Sequence, residues 1–116
     1  MITFREMVIL LSGELLTPGI DLEFECPLVF ASDLMSDVLA FMNPGAVLLT
    51  GLTNSHVVRT ACVADVAAVI FVQGKRPDED TVRQALENGL PLISTSLPTF
   101  EACIRMAEHY PVCQSR

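Results

Sequence analysis

The chain has 116 residues, 51% of them apolar, and a formal charge of -7. That length suits one domain with a core of its own, and the apolar share excludes a disordered chain. The acidic balance argues against nucleic acid and anionic membrane as partners, because binding to phosphate relies on clustered Lys and Arg, and the basic residues here are scattered.

Four cysteines, Cys26, Cys62, Cys103 and Cys113, include no C-x-x-C pair and no His at ligand spacing, so no metal site is expected. The opening residues carry no signal-peptide pattern, and no apolar run is long enough to span a bilayer. The expectation is a reduced, cytoplasmic protein whose cysteines pack as small hydrophobes.

In chain order, Phe4, Met7, Val8 and Leu11 fall at helical spacing, with a strand over 8–11 as the competing reading. Thr3 and Glu6 have capping-box spacing, and Gly13 suits the left-handed residue that ends a helix. Residues 14–17 read as a strand closed by Pro18-Gly19. Leu22, Phe24 and Cys26 alternate with Asp21, Glu23 and Glu25, the period of an edge strand with one wet face. Pro27 interrupts it, and residues 28–31 resume as a strand or extended segment.

Ser32 or Asp33 should cap a helix over 34–42. That helix is apolar almost all round, so it is either sandwiched inside the domain or lies at a subunit interface. The second reading gives a homodimer through Leu34, Val38, Phe41 and Met42.

The rest of the chain repeats one unit: an apolar strand, a glycine or hydroxyl-rich turn, then an amphipathic helix. The strands fall at 47–50, 68–72 and 91–95. The first helix starts near Asn54 or Ser55 and turns Val57, Val58, Ala61 and Cys62 inward. The second has Pro77 in its first turn, acids at 78–80 to meet the positive end of its dipole, and Val82, Ala85 and Leu86 inward. The third opens at Pro98 or Thr99, carries Cys103, Met106, Ala107 and Tyr110 inward, and ends at Pro111. Such alternation implies right-handed crossovers and a three-layer α/β/α fold with a mainly parallel central sheet.

Parallel strands send their following turns to one edge, where ligands of open α/β sheets sit and helix N-termini offer free N–H groups to anions. Candidate ligand-binding residues are Thr50, Gly51, Thr53, Asn54, Gly74, Lys75, Arg76, Ser94, Thr95 and Ser96. The same residue types also serve ordinary caps and turns.

No catalytic residue, cofactor or metal is assigned. A Walker A loop needs a glycine where Val69 stands and Ser or Thr where Arg76 stands. His56 as base and Cys62 or Cys103 as nucleophile lack the exposed electropositive setting of a reactive thiol. His109 suits a helix C-terminus, and Asp33 with Asp37 is a weak carboxylate pair.

Residues 32–41, 49–54 with 59–61, 74–78 and 100–103 together resemble the DRTGG-domain family. That family is similar in fold to the N-terminal domain of HPr kinase/phosphatase and is also found inserted in CBS-domain pyrophosphatases. The chain looks especially like stand-alone HPr-kinase-like members, some of which accompany iron hydrogenase genes. The five-letter motif that names the family is absent, and so is a kinase half. The resemblance implies a regulatory or oligomerising module without catalysis; the alternative, from the turns at the carboxyl edge, is an adenine-nucleotide sensor.

Overall fold

A computed structural model describes residues 2–110. The N-terminus forms β1 (Ile2–Thr3) and α1 (Phe4–Leu10), where Thr3 caps the helix and Glu6 completes the capping box. At the other end of α1 the left-handed residue is Ser12, with φ 51°, and not Gly13. Ser12 N–H donates to the Ile9 carbonyl and Gly13 N–H to that of Val8, the two bonds of a Schellman motif. Gly13 instead allows a close approach: a Cβ there would stand 2.9 Å from Ile93 Cδ1, which would have to shift.

Next come β2 (Glu14–Leu15), β3 (Glu25–Cys26), β4 (Val29–Ala31), α2 (Met35–Phe41), β5 (Val47–Thr50) and α3 (Ser55–Val63). They are followed by β6 (Ala68–Phe71), α4 (Glu79–Glu87), β7 (Leu92–Ser94) and α5 (Thr99–Ala107). Among the described residues, one sheet has the order β2-β7-β6-β5-β4, and β1 pairs with β3 in a small second one. β4, β5, β6 and β7 run parallel, while β2 lies antiparallel on β7. The alternation of residues 21–26 survives in their burial, but only Glu25–Cys26 pairs as strand.

The sheet is covered on both faces. Val38, Val57, Val58, Ala61 and Ala85 bring α2, α3 and α4 onto one side, against Leu48, Val69, Phe71 and Leu92. Phe4, Met7, Ala102 and Met106 bring α1 and α5 onto the other, against Val47, Leu49, Ile70 and Ile93. All four residues of β5 and of β6 are buried, as continuous apolar strands under two helical layers must be.

Several inward assignments need correction. Cys62 is exposed, because Val57, Val58 and Ala61 already fill the inner arc and Cys62 falls roughly 40° beyond Val58 around the helix. Thr81 with Ala85 makes the inner stripe of α4, leaving Leu86 on the surface, and Ala107 of α5 is exposed too. Pro77 precedes the cap of α4, which is Asp78. In α2, Val38 and Met42 belong to the domain's own core, so they are not free to meet a partner, while Leu34, Leu39 and Phe41 remain exposed. Pro111 lies outside the described residues.

Two of the caps make stability acid-sensitive. The Glu6 carboxyl is held below its ordinary 4.5 chiefly by the backbone N–H of Thr3, and that of Asp78 below 3.8 by the backbone N–H of Thr81. A lowered folded pKa stabilises the native state above the ordinary value, and the gain is lost as pH falls through the folded value. The unfolding temperature should therefore drop on acidification below about pH 4.5, and Glu6→Gln with Asp78→Asn should flatten that drop in a thermal scan series.

Candidate functional site

Because four strands run parallel, the loops after β4, β5, β6 and β7 leave the sheet at one edge. The helices after β6 and β7 then pass to opposite faces, α4 to one and α5 to the other. That divergence marks the switch point, where an open α/β sheet has its crevice. Here direct hydrogen bonds close the crevice. Gln73 N–H donates to the Leu97 carbonyl at 2.8 Å and Gly74 N–H to that of Thr95 at 2.7 Å. The Ser94 hydroxyl donates to the Lys75 carbonyl at 2.8 Å.

Closure there moves the accessible part of the rim one strand over, to the ends of β5 and β6. Gln73 and Gly74 have φ of 62° and 69°. With Lys75 N–H bonded to the Val72 carbonyl at 3.2 Å, this is the pattern of a type I′ turn. Such a turn reverses the chain sharply, and it carries Lys75 back over the end of β5. A Cβ added to Gly51 would lie 3.5 Å from Lys75 Nζ and 3.5 Å from the nearer carboxylate oxygen of Asp33.

Asp33 is the residue that sequence reasoning placed wrongly. It does not cap α2; Leu34 is the N-cap residue and its side chain makes no cap, while Ser32, the other candidate, accepts the Leu34 N–H through its hydroxyl at 3.1 Å. Asp33 Oδ1 instead accepts the Gly51 N–H at 2.7 Å and the Thr50 hydroxyl at 3.1 Å. Charged acceptors form the stronger bonds, and Gly51 at the end of a buried strand offers a fixed donor. The signal was the register: Ala31 sits level with Leu49, so two residues further on Asp33 comes level with Gly51.

The predicted residues divide accordingly. Thr50, Gly51 and Lys75 come together at the rim, beside the N-terminus of α3. Asn54 caps that helix by accepting the His56 N–H at 3.0 Å, and Thr53 is half-buried just before it. Arg76 is committed to an ion pair with Glu14 of β2. Ser94 holds the Lys75 carbonyl, and Ser96 is exposed. The Thr95 hydroxyl is buried, where it donates to the Leu11 carbonyl at 2.6 Å and ties the end of α1 to β7.

A separate shallow depression of about 290 Å³ is lined by Ile2, Glu6, Ile9, Leu10 and His109 and includes none of the rim residues. Among the described residues no group of His, Cys, Asp and Glu is placed to hold a metal ion. Burial pushes the Cys26 thiol up to about 11 and raises that of Cys103, which leaves both poorly nucleophilic at neutral pH. No helix among the described residues is long and apolar enough to cross a membrane.

The family model for the DRTGG domain matches residues 6–109. The chain belongs to the DRTGG-domain family. The resemblance carried by residues 32–41, 49–54, 74–78 and 100–103 therefore extends over nearly the whole chain. Among solved structures, this DRTGG domain is similar to one described as the CBS and DRTGG domains of the regulatory region of Clostridium perfringens pyrophosphatase, complexed with its activator diadenosine tetraphosphate. The TM-score is 0.72 at 15% identity, over 90% of this chain and 45% of that one. At that identity the likeness is one of fold, and the chain spans less than half of its neighbour. No curated protein matches it.

The buried Thr95 hydroxyl has a structural role that mutation can measure. Thr95→Val should cost about 1–2 kcal/mol of stability, since it leaves the Leu11 carbonyl without its donor. Chemical denaturation measures the loss.

Proposed function

We propose that this DRTGG domain is a non-catalytic regulatory module that binds a small anion, of the adenine-nucleotide class, at the rim between the β5 and β6 turns. The observation that carries the reading is Lys75. It is the only lysine in an acidic chain; a left-handed turn and the Ser94 hydroxyl fix its backbone, and its ammonium lies next to Gly51, in the loop that leads into α3. Backbone N–H groups, a helix dipole and one ammonium are the means by which proteins hold phosphate. The activator of the pyrophosphatase regulatory region supports the ligand class, though that region contains CBS domains as well.

Titration calorimetry with AMP, ATP, diadenosine tetraphosphate and pyrophosphate tests the proposal. Saturable binding of at least one is expected, and heat no greater than dilution for all four would end it.

Leu34, Leu39 and Phe41 favour a second element of the same reading, a homodimer through the outer side of α2. Sedimentation should then show a concentration-dependent dimer that Phe41→Glu dissociates. A wild-type monomer at high concentration removes this element.

A further inference from the structure

We infer that Asp33 is an internal stand-in for the anion, and that a ligand entering the rim displaces it and loosens the start of α2. The inference rests on the rim reading above and adds a mechanism of response to it.

The donors that Asp33 occupies are those an anionic ligand would use. One is the Gly51 N–H at the end of β5, at 2.7 Å, and the other is the Thr50 hydroxyl, at 3.1 Å. Thr50 and Gly51 are buried beneath the carboxylate, whereas Asp33 itself is exposed and can swing outward. Nothing on the other side of these donors replaces it. The Thr50 hydroxyl accepts the Leu52 N–H at 3.2 Å, which fixes the oxygen and leaves its proton for an outer acceptor. Lys75 Nζ stands close by, yet Asp33 and Lys75 form no ion pair within 4.0 Å. A second anion therefore competes with Asp33 for the donors and repels it, and the ammonium is free to turn to the newcomer.

Displacement is transmitted because α2 begins one residue later. The Leu34 carbonyl accepts the N–H groups of Asp37 at 3.0 Å and Val38 at 3.2 Å, and Leu34 has no side-chain cap of its own. Asp33 thus adds a charged side-chain tether between this first turn and the sheet, beside the Ser32 N–H, which donates to the Leu49 carbonyl at 3.0 Å, and the Ser32 hydroxyl, which accepts the Leu34 N–H at 3.1 Å. A helix of seven residues has little stability apart from such tertiary anchors. It is also the element that exposes Leu34, Leu39 and Phe41, so a change at the rim reaches these apolar surface residues.

Two measurements test the tether together. The first compares the affinity of the wild type and Asp33→Asn for ATP and for diadenosine tetraphosphate by calorimetry. The amide keeps the shape of the side chain but gives up the charge that makes it a strong competitor. At least fivefold tighter binding by the variant is expected. The second follows amide hydrogen exchange in the wild type with and without the same probes, and needs no variant to fold. Exchange at Asp37 and Val38 should quicken several-fold on saturation while β5 and β6 stay protected. Equal or weaker binding by Asp33→Asn, or α2 exchange that does not rise, overturns the tether and leaves the rim reading intact. Absence of binding by both proteins overturns the two together.

Discussion

Phe71→Ala is expected to lower the free energy of unfolding by about 3–5 kcal/mol. Phe71 ends β6, is fully buried, and packs in the cluster that joins α2, α3 and α4 to the sheet. Truncation removes the ring's transfer energy and leaves a cavity that these helices can only partly fill. A loss of that size consumes much of the roughly 5–15 kcal/mol by which a domain is stable. Its carbonyl also accepts the Thr95 N–H at 2.9 Å, so disorder at this position would spread to the β7 side of the rim. Phe100, three-quarters exposed on α5, provides the control: Phe100→Ala should change stability by less than about 0.5 kcal/mol. Urea unfolding of the two variants measures the contrast.

Lys75→Ala should weaken binding of ATP and diadenosine tetraphosphate by roughly tenfold to a hundredfold and leave stability almost unchanged. One charged hydrogen bond is worth about 1.5–3 kcal/mol, which converts to that range. Stability is spared because Lys75 is exposed and forms no ion pair among the described residues. Arg76→Ala should act differently. Its guanidinium already meets Glu14 on the surface, so its loss should cost little stability and little affinity. Calorimetry on both variants, with thermal unfolding as the control, separates a ligand contact from a surface pair.

The fold was readable where each local signal agreed with the packing around it. The apolar runs of β5 and β6 are buried on both faces, Asn54 caps α3 and Asn88-Gly89 ends α4 as their chemistry requires, while the start of α4 falls one residue later than Pro77, at the Asp78 cap. The parallel sheet follows from that alternation. What local pattern did not reveal is contact between distant segments. Asp33 looked like a cap because caps use aspartate, but its partners lie 17 and 18 residues away and become neighbours only once β4 pairs with β5. Thr95 looked like a rim hydroxyl until the Schellman turn of α1 placed the Leu11 carbonyl beneath it. The apolar circumference of α2 hid which arc faces inward, a choice made by Val38 and Met42 against the sheet. Placement of β2 beside β7 also depends on a partner that stands far along the chain, and no signal within 14–17 names it.

Gly51 and Gly74 matter for separate reasons. Gly74 adopts positive φ, which most side chains resist, so the turn that carries Lys75 depends on it. Gly51 has ordinary φ, and its bare backbone N–H serves as the donor between Asp33 and the ammonium.

Amide chemical-shift mapping of the isotope-labelled chain with ATP and diadenosine tetraphosphate tests the rim most directly. The largest changes should fall on Gly51, Leu52 and Lys75, with a smaller set reaching Leu34 to Val38. Largest changes instead around Ile2, Glu6, Ile9, Leu10 and His109, or none anywhere at saturating probe, would contradict the assignment of the β5 and β6 turns as the binding edge.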